Sequence, residues 1–135
     1  MARAVLLGDK TASHFNSKTV RASAGSVFRE PVVRVSLSEA LPALKQHGVR
    51  VVATSSHKGK PLDELDLTGP VALLIGGEGA GLPSAITSEA DELVTVPHSP
   101  RVESLNAGIA ASILLYEAAR QRRTAENHFA ADEIE

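Results

Sequence analysis

The sequence predicts an α/β fold with a mostly parallel sheet flanked by helices. Short apolar runs of strand length alternate along the chain with longer segments of helical period. Residues 71–75 are all apolar and lie between Gly69-Pro70 and Gly76-Gly77, which is typical of a strand buried on both faces. The 135 residues, 43% of them hydrophobic, suit a single domain. We expect it to span residues 1–123, with residues 124–135 as a frayed tail.

The first sixty residues are predicted to contain three strands and one regular helix. The strands are expected at residues 3–7, 32–35 and 49–54, and residues 17–28 are expected to form a short irregular helix or a loop. Ser36 and Glu39 fit a capping box, and Pro42 is tolerated only near the start of a helix. The helix is therefore expected over residues 38–47, with Gly48 as its stop.

The rest of the chain is predicted to contain two strands and a long final helix. A polar loop is expected over residues 55–70, followed by strands at 71–75 and 92–96 with a short helix over 82–90 between them. The final helix is expected over residues 104–123, because apolar side chains recur there at helical spacing and arginines follow them. Its core-facing stripe is predicted to comprise Leu105, Ile109, Ala110, Ile113, Leu114 and Tyr116.

Composition and charge exclude several classes of protein. No apolar run is long enough to cross a bilayer, and the absence of cysteine excludes disulfides and thiolate metal sites, which fits a cytoplasmic protein. The five histidines share no spacing typical of metal ligands, so no metal is expected. Residues 1–60 carry a net charge of +7 and residues 61–135 one of −9. This asymmetry favours a polyanion-binding face, and two solvated surfaces of mixed sign are the alternative.

A glycine-rich turn follows the strand predicted at residues 71–75. Its sequence, Gly76-Gly77-Glu78-Gly79-Ala80-Gly81, lies where open parallel sheets bind their ligands. The spacing matches neither a P-loop, which needs a lysine after its last glycine, nor the G-x-G-x-x-G dinucleotide fingerprint. Glu78 would repel a pyrophosphate, which favours a ligand that is not strongly anionic. A tight turn that binds nothing is the structural alternative.

A second candidate site lies at Ser104-Leu105-Asn106, where the final helix is expected to begin. Ser104 is a suitable N-cap, because its hydroxyl can accept a hydrogen bond from a backbone N–H two or three residues later. Asn106 would then occupy the second helical position, where its amide can orient a ligand or a reacting hydroxyl. Helix capping without a further role is the alternative for both residues.

The segments LLIGGEGAGL (residues 73–82) and VTVPHSPRVESLNAGIAASILLYEAARQR (residues 94–122) occur in this order, downstream of the basic stretch KTVRASAGSVFREPVV (residues 18–33). Together they resemble the motifs of the SpoU (TrmH) family of tRNA/rRNA 2′-O-ribose methyltransferases. The resemblance extends from residue 4 to residue 123. Ala107 and Gly108 depart from the family's usual Val-Ser, which changes packing more than chemistry.

The resemblance implies a deep C-terminal trefoil knot within the α/β domain, a feature that is almost absent from other proteins. It also implies S-adenosylmethionine as the cofactor. Carried over by position, the residues expected to surround it are Thr54, Ser55, Gly76, Gly77, Val96, His98 and Leu105. The glycine-rich turn agrees with this, since Glu78 does not repel a sulfonium cation.

The implied reaction transfers a methyl group from the cofactor to a ribose 2′-hydroxyl of tRNA or rRNA, by in-line attack of the 2′-oxygen on the sulfonium methyl. Ser104 and Asn106 are expected to position the ribose and Glu78 to organise the site, so these three are the candidate catalytic residues. Lys18, Arg21 and Arg29 are the candidates for RNA phosphates, and solvated or paired charges are their alternative. A homodimer is also implied.

One motif of the family has no counterpart in the chain. It is an Asn-x-Gly-x-x-x-Arg helix start, which would precede residues 3–7 and whose arginine helps to activate the ribose hydroxyl. We therefore expect the chain to be the carboxyl-terminal piece of a longer protein. A cofactor- and RNA-binding module that is inactive by itself is the main alternative to an enzyme, and the glycine turn alone leaves open an unrelated nucleotide-binding protein.

Overall fold

The computed structural model describes residues 4–8, 31–56, 58–76, 81–97 and 106–132. The chain divides into two units, residues 1–40 and residues 41–135. Each unit contains a sheet whose described strand pairs are parallel, so the predicted mostly parallel α/β architecture is confirmed. The helix or loop predicted over residues 17–28 lies outside the described residues.

The first unit contains a two-stranded parallel sheet. Strand β1 (Val5–Leu7) pairs with β2 (Val32–Arg34), and Val5 lies opposite Val32. Helix α1 (Leu37–Gln46) follows and crosses into the second unit. It begins one residue earlier than predicted, because the Ser36 carbonyl accepts the N–H groups of Glu39 and Ala40. Pro42 lies inside the helix. Gly48 ends it with a φ of +77°, as predicted.

The second unit is built on a four-stranded parallel sheet. Its strands are β3 (Arg50–Thr54), β4 (Lys60–Pro61), β5 (Val71–Leu74) and β6 (Glu92–Thr95), in the spatial order β4-β6-β3-β5. Helix α2 (Ser84–Thr87) precedes β6, and helix α3 (Ala107–Asp132) follows it. The strands predicted at residues 49–54, 71–75 and 92–96 are confirmed to within one residue at each end. Both faces of β3 are buried, and its neighbours share its apolar character.

Strands β3 and β4 lie on opposite sides of β6 although only residues 55–59, the bridge segment, connect them. Thr54 and Lys60 both lie beside Val94, so β4 begins at the level where β3 stops and the chain need not reverse. Parallel strands otherwise need a crossover of a dozen or more residues. β6 comes later in the sequence than β3 and β4. It nevertheless lies between these two strands, which the short bridge segment joins.

The segment predicted as a polar loop, residues 55–70, is more ordered than expected. Besides β4 it contains a 3₁₀ turn (Leu62–Glu64), and Leu62, Leu65 and Leu67 are buried. These leucines join Val52, Val94, Leu114 and Ala118 in one core cluster. The prediction was wrong because acidic residues separate the leucines in sequence, whereas their packing partners lie in distant strands and in α3.

Helix α3 begins three residues later and ends nine residues later than predicted. Residues 124–132, predicted as part of a frayed tail, are helical. Leu114 is buried as predicted, but Ile109, Ile113 and Tyr116 are 56%, 36% and 64% exposed, so the predicted stripe is wrong at these positions. The helix instead buries the face that carries Leu114 and Ala118. Ala110 is half-buried, and Leu105 lies outside the described residues. Within the described ranges, the longest helix is too polar to cross a membrane and the others are too short.

Candidate functional site

The carboxyl ends of three neighbouring strands meet at one edge of the larger sheet. β3 lies between β5 and β6: after β3 the chain forms β4 beyond β6, crosses back to β5 on the other side of β3, and then returns to β6. Such a topological switch point is where parallel sheets form a crevice for ligands. Four predicted cofactor residues, Thr54, Ser55, Gly76 and Val96, lie at or just beyond these strand ends.

Thr54 and Ser55 tie the three strand ends together. The hydroxyl of Thr54 donates a hydrogen bond to the Leu74 carbonyl of β5 at 3.1 Å. The backbone N–H of Ser55 donates to the Val94 carbonyl of β6 at 2.9 Å, and its hydroxyl accepts from the backbone N–H of Lys58 at 3.2 Å. Both side chains therefore hold the shape of the edge.

Apolar surface is also present at this edge. Ile75 and Val96 directly follow β5 and β6, and both pack partly buried against the core cluster. A flat, largely apolar ring such as adenine fits side chains of this kind, with nearby backbone groups giving it orientation. The chemistry of the edge is thus compatible with the adenosine part of the implied cofactor.

Gly76 makes a close approach that no other residue type permits. A Cβ atom at this position would lie 2.7 Å from the backbone carbon of Gly81 and 2.8 Å from the backbone nitrogen of Leu82. Gly81 itself has a φ of +67°, in the left-handed region. The local backbone therefore requires glycine at both Gly76 and Gly81.

Asn106 is the N-cap of helix α3. Its Oδ1 accepts hydrogen bonds from the backbone N–H groups of Gly108 at 2.9 Å and Ile109 at 3.2 Å, and its carbonyl accepts from Ala110 at 2.9 Å. The predicted helix start at Ser104, and with it the second helical position for Asn106, is wrong. The sequence offers two residues suited to capping, and the structure uses the later one. Capping fixes the orientation of the Asn106 amide at the start of the helix.

The remaining predicted site residues lie outside the described residues. Among the candidate catalytic residues these are Glu78 and Ser104, and among the cofactor residues they are Gly77, His98 and Leu105. The candidate RNA contacts Lys18, Arg21 and Arg29 also lie there. Their assignments stay predictions. In the ranges that the structure describes, no group of His, Asp and Glu side chains is placed to hold a metal ion.

Gln121, which the sequence analysis missed, joins α3 to the segment that leads into β5. Its Nε2 donates to the Leu65 carbonyl at 2.8 Å, and its Oε1 accepts from the Leu67 N–H at 2.7 Å. Arg122 donates to the carbonyls of Leu67 at 3.3 Å and Gly69 at 2.8 Å. The signal for Gln121 was its spacing: it follows Leu114 by seven residues and so lies on the buried face of the helix.

Glu117 helps to orient the Gln121 side chain. Its Oε1 accepts from Gln121 Nε2 at 3.1 Å, and Arg120 donates to both of its oxygens at 2.6 and 2.9 Å. The hydrogen bonds from Arg120, which has the larger effect, and from Gln121 lower the pKa of Glu117 to about 2. The carboxylate therefore stays ionised at neutral pH and remains an acceptor for Gln121.

We expect Gln121→Ala to lower the free energy of unfolding by about 2 kcal/mol, because partly buried backbone groups of Leu65 and Leu67 lose their partners. Urea unfolding at pH 7 measures this change. Arg123→Ala, at an exposed position of the same helix, is the matched control and is expected to stay within about 0.5 kcal/mol of the wild type. Equal stability of the two variants would show that the Gln121 contacts do not stabilise the fold.

Comparisons with known sequences agree with the motifs. The model of the family described as SpoU rRNA Methylase matches residues 1–116. The 23S rRNA (guanosine(2553)-2′-O)-methyltransferase RlmP of Bacillus subtilis (strain 168) is 43% identical over 113 residues, which is 84% of this chain and 46% of that protein. An uncharacterised tRNA/rRNA methyltransferase of Mycobacterium leprae (strain TN) is 38% identical over 120 residues, 88% of this chain and 39% of that protein.

Solved structures show the same likeness. The SpoU methyltransferase AviRb from Streptomyces viridochromogenes, in complex with AdoMet, superposes with a TM-score of 0.80 and 37% identity, over 90% of this chain and 48% of that chain. An AdoMet-bound rRNA methyltransferase from Sinorhizobium meliloti gives a TM-score of 0.80 and 38% identity, over 88% of this chain and 46% of that chain. The chain thus spans about half the length, or less, of these relatives.

A parallel α/β sheet with a ligand edge at its switch point defines a broad class of cofactor- and nucleotide-binding proteins. The family match over residues 1–116 is more specific. The chain belongs to the SpoU rRNA Methylase family. Its fold class is that of the knotted SPOUT methyltransferases, as the resemblance implied. An unrelated nucleotide-binding protein is thereby excluded.

Proposed function

We propose that the chain is the cofactor-binding domain of an RNA 2′-O-ribose methyltransferase. The observation that carries the proposal is the family match over residues 1–116, which includes the glycine-rich turn and the start of α3. S-adenosylmethionine supplies the methyl group when bound, and tRNA or rRNA accepts it. The name of the Bacillus subtilis relative, a 23S rRNA 2′-O-methyltransferase, supports the choice of an RNA ribose as acceptor.

The sheet edge provides the parts that this reaction needs from the chain. Ile75 and Val96 offer apolar surface for the adenine ring, and the close turn at Gly76 brings backbone groups to the same place. Asn106, held by its capping bonds, is proposed to align the ribose, together with Ser104. Glu78 is proposed to organise the site. Catalysis then rests on alignment and on loss of the hydroxyl proton, which requires no metal.

The test is methyl transfer from labelled S-adenosylmethionine to bulk tRNA and rRNA, followed by digestion to nucleosides. It is run with the 135-residue chain and with a longer protein that also carries the Asn-x-Gly-x-x-x-Arg motif. Label in 2′-O-methyl nucleosides is the expected result. If both proteins bind S-adenosylhomocysteine and RNA but transfer no label, the chain is a binding module. If neither protein binds S-adenosylhomocysteine, the proposal is wrong.

The proposal extends to the RNA contacts and to the compartment. The basic residues Lys18, Arg21 and Arg29 are proposed to contact RNA phosphates, because residues 1–60 carry a net charge of +7. A cytoplasmic location is proposed because the chain has no cysteine and its proposed substrates are tRNA or rRNA.

We further propose that the chain forms a homodimer through α3. Ile109, Ile113 and Tyr116 are exposed and follow one another at helical spacing, which gives the helix an apolar face outside its own core. A second copy with the same face can cover it, since dimer interfaces are self-complementary. The family resemblance also implies pairing through this helix.

Ile113→Glu is expected to convert the dimer to a monomer, because it places a charge in the proposed apolar interface. Light scattering coupled to gel filtration measures the mass. Asn127→Glu, an exposed position about four turns further along the helix, is the matched control and is expected to leave the dimer intact. A wild-type protein that is monomeric at tens of micromolar would contradict the proposal.

A further inference from the structure

We propose that Lys58 and Lys60 bind backbone phosphates of the RNA substrate beside the cofactor edge. Both side chains are exposed, Lys58 on the bridge segment and Lys60 at the start of β4. Neither residue belongs to the family motifs from which the site was predicted. The inference rests on the proposed function, and it adds a second group of RNA contacts to the one expected in the first thirty residues.

The backbone that carries these lysines is held in place by contacts with β3 and β6. The Lys58 N–H donates to the Ser55 hydroxyl, and the Thr95 hydroxyl donates to the Ser56 carbonyl at 3.1 Å. Gly59 packs directly on the backbone of Leu93 with a φ of +101°. Lys60 pairs with Val94 in the sheet. The two ammonium groups thus extend from a fixed base, which lowers the entropic cost of binding a ligand.

The lysines have no counter-charge in their own contacts. The sequence from Ser55 to Leu62 contains no acidic residue, and the nearest carboxylates in sequence are those of the exposed Asp63 and Glu64. In the part of the chain that the structure describes, Lys45 pairs with Glu89 and Arg120 with Glu117, whereas neither Lys58 nor Lys60 forms an ion pair. Lys58 and Lys60 are therefore available to an external anion.

Their position favours a nucleic-acid phosphate over other anions. The bridge segment starts at Ser55, one residue beyond the end of β3, so it borders the edge proposed to hold the cofactor. A ribose that presents its 2′-oxygen there carries a phosphate on each side. Lysine binds phosphate as a mobile point charge, and phosphate contacts set the position of the nucleic acid without reading its sequence.

The test compares Lys58→Ala and Lys60→Ala with Lys45→Ala in the form of the protein that transfers label in the methyl-transfer assay. RNA affinity is measured by fluorescence anisotropy over a series of salt concentrations, and cofactor affinity by calorimetry with S-adenosylhomocysteine. We expect the first two variants each to raise the Kd for RNA about 3- to 10-fold and to reduce the salt slope by about one. Lys45, which is paired with Glu89, should behave like the wild type.

The kinetic pattern separates phosphate binding from a structural role. The KM for RNA should rise while kcat and the Kd for S-adenosylhomocysteine stay constant, and Lys58→Arg should restore RNA affinity because it keeps the charge. An unchanged RNA affinity in both alanine variants would overturn the inference and leave the proposed function standing. A wild-type protein that binds S-adenosylhomocysteine but no RNA would overturn both. A loss of cofactor affinity in the variants would show that the lysines support the fold of the edge and do not bind RNA.

Discussion

Asn106→Ala is expected to reduce methyl transfer at least about 100-fold, because the variant loses the amide proposed to align the ribose. The same change removes the N-cap of α3 and should destabilise the protein by about 1 kcal/mol. The activity loss is measured with labelled S-adenosylmethionine at saturating RNA, and the stability loss by thermal unfolding. A destabilisation of this size leaves the protein folded at assay temperature.

Asn106→Ser and Asn106→Asp separate the two roles of this residue. Both side chains can cap the helix, so both variants should keep the stability of the wild type to within about 0.5 kcal/mol. Neither supplies the amide N–H groups, so both should remain inactive if the amide aligns the ribose. A serine variant with wild-type activity would show that capping is the whole function of Asn106.

Gly59→Ala is expected to destabilise the fold by about 3 kcal/mol or more, a large share of the stability of a domain of this size. The added Cβ would lie 2.5 Å from the carbonyl carbon of Leu93 and 2.7 Å from its Cβ. The φ of +101° at this position adds backbone strain. Because the colliding atoms include the backbone of a central strand, relief requires the bridge segment to move away from β6.

Alanine substitutions at two other glycines separate the cost of a steric clash from the cost of backbone strain. Gly48 also has a positive φ but has open space around it, so Gly48→Ala should cost only about 1 kcal/mol. Gly69 has open space and a φ outside the left-handed region, so Gly69→Ala should change stability by less than about 0.5 kcal/mol. Urea unfolding of the three variants gives the ranking. A Gly59 variant as stable as the Gly48 variant would show that the structure around Leu93 relaxes to accept the added Cβ at little cost.

Local sequence patterns predicted some parts of the candidate site and not others. The strand at residues 71–75 and the glycine turn after it were recognisable because an apolar run and glycines act within a few residues of one another. The cap of α3 was not predictable from local sequence, because Ser104 and Asn106 are both suited to capping. The choice of Asn106 depends on tertiary structure. The motif resemblance identified the family because its residues are spread over most of the chain.

The sequence by itself determined the alternation of strands and helices, the parallel sheet and the family. Tertiary structure decided which apolar residues are buried. Leu62, Leu65 and Leu67 are core residues because α3 covers them, and Ile109, Ile113 and Tyr116 are exposed because α3 turns another face inward. It also decided that five residues bridge β3 and β4 across β6. Contacts of this kind join residues 30 to 60 positions apart, a range that helical and strand periodicities do not reach.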